Sequence, residues 1–153
     1  MIDLPTLESY ASRLARTSVT ISCDAPSTFA TSTSTEVVNG VPRVVTSTVQ
    51  GYTVSVDGVF LGVIHLPKPT CTRLMHADDG NLVDPADMLV LAHESLHIGL
   101  ASADECVVEA TAMKNEWSLL KLFRLAAWRA RAILAGASAV DAQMPAAYHG
   151  CSA

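Results

Sequence analysis

The sequence DPADMLVLAHESLHIGL, residues 84–100, predicts one helix around which the rest of the chain is organised. Asp84 is a favourable N-cap, and Pro85 suits the first helical position. Asp87 stands where a capping-box acid would, and Gly99 offers a stop. After its first turn this segment is almost entirely apolar, and a helix that is apolar on most faces is normally buried. We therefore expect it to lie in the core.

The polar side chains in the apolar part of this helix form an HExxH motif: His93, Glu94 and His97, with Ser95 between them. Histidines at i and i+4 lie on one helical face about one turn apart, so both imidazoles can reach one metal ion. Glu94 projects beside them, where a carboxylate can act as a general base. Buried titratable groups are costly unless a partner such as a cation holds them. The motif therefore predicts a zinc site with Glu94 as the catalytic base.

Length and composition favour a single globular domain, which we assign to residues 1–153. Half of the residues are apolar and 16% are charged, which is typical of a folded chain rather than a disordered one. The formal net charge of −5 gives no support for binding to nucleic acid or to an anionic membrane. No apolar run reaches the roughly 18 residues that a membrane-spanning helix needs. We therefore expect neither nucleic acid nor membrane among the partners.

The four cysteines are far apart and form no CxxC pair: Cys23, Cys71, Cys106 and Cys151. This spacing argues against a cysteine-ligated zinc knuckle and leaves two disulfides and four buried thiols as alternatives. The N-terminal sequence MIDLP has neither the basic nor the apolar region of a secretory signal. We therefore expect a cytoplasmic location unless the cysteines form disulfides.

The N-terminal half is expected to form a helix and a small antiparallel sheet of three or four strands. Apolar spacing predicts a helix over residues 4–15, alternation predicts a strand over 18–23, and the Ser- and Thr-rich segment 25–35 is typical of a loop. Asn39-Gly40 and Asp57-Gly58 are hairpin turn signals within a β-branched region from residue 36 to residue 67. His65, in the last of these strands, is interpreted as an ordinary strand residue.

The C-terminal half is expected to be helical, which makes the chain an α+β protein. A helical turn over residues 71–75 and an acidic loop over 76–81 precede the HExxH helix. A second helix is expected to begin at residues 102–105 and to continue to Ala135 with a break at residues 114–118. Gly136 supplies the C-terminal signal, and the cations of the segment 119–134 are interpreted as a solvated face.

A third zinc ligand is needed, and the next helix offers two glutamates. If the chain reverses just after residue 100, Glu105 lies opposite His97 and Glu109 lies opposite His93. Glu105 would then be the third ligand, and Glu109 would accept a hydrogen bond from His93. The residues alone leave open which glutamate binds the metal. Glu105 could instead serve only as a capping-box residue.

HExxH followed by glutamate on the next helix resembles the gluzincin pattern of thermolysin-like zinc metallopeptidases. The segment DECVVE, residues 104–109, is similar to the part of that pattern in which an acid follows the ligand glutamate by four residues. The resemblance implies a minimal zincin-like domain with a sheet beside the HExxH helix, whose edge strand binds an extended peptide. It implies zinc bound by His93, His97 and Glu105, with Glu94 as the general base and Glu109 orienting the first histidine.

One further resemblance and one mismatch bear on this assignment. The HExxH run with Asp104-Glu105 also resembles small uncharacterised actinobacterial and phage proteins, which indicates nothing about a substrate. Metzincins fit poorly, because their HExxHxxGxxH/D pattern requires Gly at position 100 and His or Asp at position 103. This chain has Leu100 and Ala103 there.

The C-terminal tail offers a candidate stabiliser of a developing oxyanion. Peptide hydrolysis at zinc requires a hydrogen-bond donor for that charge, and Tyr148 is the candidate. A disulfide between Cys106 and Cys151 would hold the tail near the metal, because Cys106 follows the proposed ligand Glu105. The remaining cysteines, Cys23 and Cys71, would then form the second disulfide.

These residues predict a zinc-dependent metallopeptidase that acts on a peptide or protein substrate. One alternative is a non-catalytic module, such as a phage or interaction protein, that uses the metal for stability. Such a site would be closed by a fourth protein ligand, for which Asp104 and His149 are candidates. The other alternative is a metal-dependent amidase on the same scaffold.

Overall fold

The computed structural model describes residues 1–48, 50–77, 83–144, 148–149 and 151. These residues form an α+β fold, as predicted. The elements in chain order are α1 (Leu4–Ala15), β1 (Thr20–Asp24), a 3₁₀ helix (Pro26–Thr28), β2 (Thr31–Val38), β3 (Val41–Thr48), β4 (Tyr52–Val56), β5 (Val59–Pro67), α2 (Lys68–Met75), α3 (Pro85–Leu100), α4 (Glu105–Leu122) and α5 (Ala127–Ala142). One hydrophobic cluster draws buried residues from all five helices and from β1 and β5.

Helix α3 is the centre of the fold, and its start agrees with the prediction. The Asp84 side chain accepts a hydrogen bond from the Ala86 backbone N–H at 2.9 Å, and Pro85 occupies the first turn. Buried side chains occur on nearly every face of the helix, because α3 packs against α1, α2, α4, α5 and the sheet. Asp87 has a different role from the predicted one, since its buried carboxylate receives two hydrogen bonds from Arg73 of α2, at 2.6 and 2.9 Å.

Gly99 is not the stop of α3, contrary to the prediction. The helix continues to Leu100 and ends at Ala101, which has a left-handed φ of 48°. Gly99 instead permits a close approach of α1. A Cβ atom built on Gly99 would lie 2.6 Å from the carbonyl oxygen of Ala15, so any larger residue would push the two helices apart.

The main sheet is mixed, whereas an antiparallel sheet was predicted. Its strand order is β1-β5-β4, with β4 antiparallel and β1 parallel to the central strand β5. Ile21 pairs with Ile64 across the parallel ladder, and both are buried against the helices with Leu66. Alternation in the sequence indicates which face of a strand is buried, but it carries no information about strand direction. The alternation in the sequence therefore could not predict the parallel pairing of β1 with β5.

Strands β2 and β3 form a separate two-stranded antiparallel sheet. The Asn39-Gly40 turn between them has positive φ at both residues, as the hairpin signal predicted. The Asp57-Gly58 turn joins β4 to β5 in the same way. The predicted loop over residues 25–35 is wrong in its second half, because β2 begins at Thr31. Ser and Thr can lie in a strand when a neighbouring strand, here β3, provides the backbone hydrogen bonds.

Helix α4 is continuous, so the predicted break at residues 114–118 is wrong. Glu116, Leu119 and Leu120 are all buried, which means that the core continues along this part of the helix. The chain turns instead at residues 123–126, where Arg124 has a φ of 55°. The predicted stop at Gly136 is also wrong, since this glycine lies inside α5.

Two disulfides are present, with the pairings considered from the sequence. One joins Cys23 of β1 to Cys71 of α2, and the other joins Cys106, in the first turn of α4, to Cys151 of the tail. Disulfides are typical of oxidising compartments, so the condition for expecting a cytoplasmic location is not met. Among the described residues, no helix is both long and apolar enough to span a membrane.

Two predicted segments fall partly outside the described residues. The acidic loop over residues 76–81 is described only for His76 and Ala77, which follow α2 as a turn. The tail after Met144 is described at residues 148, 149 and 151.

Candidate metal centre

Helix α3 brings its three predicted site residues together on one buried face. The Nε2 atoms of His93 and His97 lie 3.0 Å apart, as expected for imidazoles one helical turn apart. His93, Glu94 and His97 each offer one ligand atom, and these atoms all lie within 4.8 Å of one another. All three side chains are buried. This buried group could hold a metal ion.

Glu105 reaches the two histidines from the start of α4. The left-handed residue Ala101 reverses the chain, and Asp104 caps α4 by accepting hydrogen bonds from the backbone N–H groups of the next turn. Because Asp104 is the cap, Glu105 has no capping-box role, and its side chain turns to the histidines. The Glu105 Oε2 atom lies 2.7 Å from His93 Nε2 and 3.3 Å from His97 Nε2.

The outer nitrogens of both imidazoles are held by acceptors. His93 Nδ1 donates to Glu109 Oε2 at 2.6 Å, the orienting contact predicted for Glu109. His97 Nδ1 donates to the backbone carbonyl of Ser102 at 2.7 Å. Since carboxylates and carbonyls only accept, each Nδ1 carries a hydrogen, and each Nε2 is directed at the centre of the group.

Burial and charge act against each other on the ionisable groups of this site. Burial alone would lower the pKa of His93. The hydrogen bond to Glu109 and the charges of Glu94, Glu109 and Glu105 outweigh burial and raise that pKa above its ordinary value. Burial also raises the pKa of Glu94, although the neighbouring His93 and His97 lower it. A negative cluster that stabilises positive charge at its centre is the expected environment of a bound cation.

Tyr148 lies beside the histidines. Its ring centroid is 5.8 Å from that of His93, and the Cys106–Cys151 disulfide fixes the chain three residues further on. Burial raises the pKa of the Tyr148 phenol, and the charges of Glu105, Glu94 and Glu109 raise it further. The phenol therefore keeps its hydrogen at neutral pH and can act as a hydrogen-bond donor.

Three contacts of the site were not predicted from the sequence. A hydrogen bond from the side chain of Thr53, on β4, to Glu94 lowers the pKa of that carboxyl. The Phe60 ring of β5 stacks on His97 with centroids 5.9 Å apart. The third is the hydrogen bond from His97 Nδ1 to the backbone carbonyl of Ser102. Strand positions and backbone carbonyls carry no motif, so only the packing of the sheet and of the α3–α4 turn reveals them.

Two more acids of the C-terminal helices lie behind the site. Glu116 of α4 is fully buried, and neither of its carboxyl oxygens has a hydrogen-bond partner in the described part of the chain. Burial, together with the charge of Glu109, raises the pKa of Glu116 to about 8. Burial raises the pKa of Asp141 as well, and its hydrogen bond with Glu109 adds to the effect. Because its pKa is about 8, the Glu116 carboxyl is mostly protonated at neutral pH.

The other candidate ligands lie elsewhere. Asp104 is engaged as the cap of α4, and His149 is exposed, with its Nε2 atom 3.2 Å from the Met144 carbonyl oxygen. His65 pairs through Nδ1 with Asp24 at 2.8 Å and stacks on Tyr52, consistent with an ordinary strand residue. Among the described residues, His93, Glu94 and His97 form the group whose ligand atoms lie together, and the Glu105 carboxylate lies against its two histidines.

No protein-family model matches the chain, and comparison with curated proteins and with solved structures finds no match either. The fold and the site therefore define an α+β protein with a buried His–Glu–His group that could hold a metal ion.

Proposed function

We propose that the protein is a zinc-dependent metallopeptidase in which His93, His97 and Glu105 hold Zn²⁺ and Glu94 is the general base. The observation that carries this proposal is the convergence of the two Nε2 atoms and Glu105 Oε2, with separations of 2.7, 3.0 and 3.3 Å. The gluzincin resemblance of the HExxH motif and its following glutamate points the same way.

The donor atoms fit zinc. The two Nε2 atoms and the Glu105 oxygen face one another, so all three groups would attract a cation bound between them. His93, His97 and Glu105 would hold the zinc ion through these three atoms, whose types are among those that zinc binds in proteins. Two histidines and one glutamate are a known catalytic zinc set, which leaves a position for water or substrate. The Glu105 side chain is 41% exposed, so solvent can reach that position.

Zinc held by these residues would supply a Lewis acid for a water molecule and for the scissile carbonyl group. Glu94 then removes a proton from the attacking water through its carboxylate and returns it to the leaving amine. The contact with Thr53 keeps this carboxylate directed at the site. Tyr148 donates its phenolic hydrogen to the oxyanion that develops on the substrate, for which its protonated state is required.

A peptide substrate is favoured by the position of β4. This strand lies at one edge of the three-stranded sheet, so one side of its backbone is unpaired within that sheet. The same strand carries Thr53, which contacts the general base. An extended peptide that adds to this edge would bring a backbone carbonyl near Glu94.

The geometry gives no support to the alternative of a purely structural metal site. A structural zinc site is closed by four protein ligands. Asp104 and His149, the two candidates for a fourth ligand, are directed to backbone groups in the described structure. A site held by His93, His97 and Glu105 would keep a position for water or substrate, which supports the catalytic proposal.

The test is a Glu94→Gln variant, with Asp57→Asn as the control because Asp57 is a carboxylate at an exposed turn. Hydrolysis of a fluorogenic peptide library and zinc content per chain are both measured. Loss of a general base costs roughly 10²–10⁴ in rate, so we expect Glu94→Gln to lose hydrolysis by that factor while it retains zinc. Asp57→Asn should keep both properties. Undiminished hydrolysis by Glu94→Gln, or no hydrolysis by the zinc-loaded native protein, would contradict the proposal.

A further inference from the structure

A cavity lies between the C-terminal end of α1 and the later turns of α4. Its volume is about 390 Å³, and two leucine side chains contribute to its lining. Three cations and two neutral polar side chains line the rest: Arg13, Arg16, Lys121, Asn115 and Ser118. The position of Lys121, sixteen residues after Glu105, places this cavity about 24 Å along α4 from the metal centre.

The cations of this cavity are not balanced by acids. In the described part of the chain, no carboxylate lines the cavity and none of the three cations forms an ion pair. This concentration of positive charge occurs in a chain whose formal net charge is −5. Arg13 and Lys121 stand in the last turns of their helices, where a cation complements the helix dipole. The dipole does not account for Arg16, which lies beyond the end of α1.

Ser118 differs from the other hydroxyl residues inside the long helices. Ser95, Thr111 and Ser138 each donate to the backbone carbonyl four residues earlier, at 2.6, 2.7 and 3.1 Å. Such back-bonding is the usual arrangement for a hydroxyl inside a helix. The Ser118 hydroxyl forms no hydrogen bond within the described residues and lines the cavity. It is therefore available as a donor to a ligand.

The two walls of the cavity are fixed relative to each other. Arg13, in the last turn of α1, and Arg16, the left-handed residue that follows the helix, both line the cavity. Asn115 and Ser118 are three residues apart on α4, so their side chains lie near each other. The Tyr10 ring of α1 packs edge to face against Phe123 at the end of α4, with centroids 4.9 Å apart. This contact holds the two helix ends together and keeps the cations of both helices around one space.

We propose that this cavity binds a phosphate group. Arginine side chains bind phosphate oxygens through paired N–H groups, and lysine adds a compact positive charge. Three cations match a ligand of charge near −2 better than a single carboxylate. The volume beyond the cations, lined by the leucines, has room for part of the molecule that carries the phosphate. The proposal does not depend on the zinc site, because the two sites share no residue.

Calorimetric titration of the full chain with inorganic phosphate and with pyrophosphate tests the proposal. The variants are Arg13→Ala and Lys121→Met, and the control is Arg131→Ala, which removes an exposed cation of α5 outside the cavity. We expect measurable binding that weakens roughly tenfold in each cavity variant, since a charge-assisted hydrogen bond is lost. The control should bind as the native protein does. All of the substituted side chains are exposed, so the fold should be retained, and a thermal melt verifies this.

Ser118→Ala separates a built site from a general attraction between charges. This variant keeps every charge but removes the free hydroxyl, so we expect a few-fold weaker binding. Affinity that is unchanged in Ser118→Ala, or that falls as much in Arg131→Ala as in Arg13→Ala, would overturn the proposal. So would the absence of binding in all arms of the experiment.

The source of the phosphate is distinguished by a vesicle arm. Native protein is mixed with phosphatidylcholine vesicles that contain or lack phosphatidic acid. Sedimentation with the phosphatidic acid vesicles that is lost in Arg13→Ala would identify a lipid headgroup. Calorimetric binding of pyrophosphate without sedimentation would identify a soluble phosphate compound.

Discussion

The two halves of α4 carry buried glutamates in opposite situations. In the N-terminal half, Glu109 is buried and bonded to His93 at 2.6 Å. In the C-terminal half, Glu116 is equally buried, but its carboxyl oxygens have no partner in the described structure. The residue type and the helix are the same, and only the opposing side chains differ. A buried carboxyl group is therefore bonded where a histidine faces it, as at Glu109, whereas burial without such a partner raises the pKa of Glu116 and keeps it neutral.

The largest expected effect concerns Glu116 and the pH dependence of stability. Its pKa is about 8 in the folded chain against 4.5 for the free group, so the folded state binds more protons between these values. The favourable contribution of the neutral form is complete below pH 4.5 and is lost as pH rises through 8, by an amount on the order of 5 kcal/mol. Glu116→Gln should remove this loss.

Urea unfolding over a pH series measures this difference. We expect the free energy of unfolding of Glu116→Gln, relative to that of the native protein, to rise between pH 4.5 and pH 8. The exposed-carboxylate control Asp57→Asn should show no such rise. A constant difference between Glu116→Gln and native protein across that range would show that Glu116 is charged in the folded chain.

The second largest expected effect is a loss of zinc affinity when Glu109 is replaced. A carboxylate that orients a ligand histidine is worth roughly 10- to 100-fold in metal affinity. Competition with a chromophoric chelator should therefore show zinc binding weakened by that factor in Glu109→Gln. Glu116→Gln, on the same helix, should bind zinc nearly as the native protein does. Equal losses of affinity in the two variants would remove the distinction between the two halves of α4.

The smallest effect concerns the ends of α4 themselves. Asp104 accepts hydrogen bonds from two backbone N–H groups of the first turn, at 3.0 and 3.2 Å. Asp104→Ala should lower the free energy of unfolding by about 1 kcal/mol, the usual value of an N-cap. Ser118→Ala, in the later turns, should leave stability within about 0.5 kcal/mol, because that hydroxyl has no hydrogen-bond partner among the described residues. Thermal unfolding of both variants gives the comparison, and an unchanged Asp104→Ala would refute the capping role.

The parts of the structure that depend on local pattern were predictable. The start of α3 followed from Asp84 and Pro85, and the two hairpin turns followed from their Asx-Gly pairs. The approach of Glu105 and Glu109 to the histidines followed from the helical repeat and one tight turn. These features need only neighbours in the sequence or a single reversal of the chain.

The parts that depend on distant contacts were not predictable. The parallel pairing of β1 with β5 joins residues more than forty positions apart, and a strand pattern does not specify its partner. The continuity of α4 past residue 114 depends on the core that buries Glu116, a residue that reads as polar in the sequence. The role of Gly99 depends on the approach of Ala15 from another helix, so a glycine that reads as a stop is a packing residue.

The central claim is that His93, His97 and Glu105 hold one zinc ion. Zinc content per chain, measured by elemental analysis after dialysis of the native protein and of Glu105→Ala, tests it most directly. We expect one zinc per native chain and its loss in the variant, with the fold retained because the Glu105 side chain is 41% exposed. A native chain that retains no zinc, or a Glu105→Ala chain that retains it fully, would contradict the account.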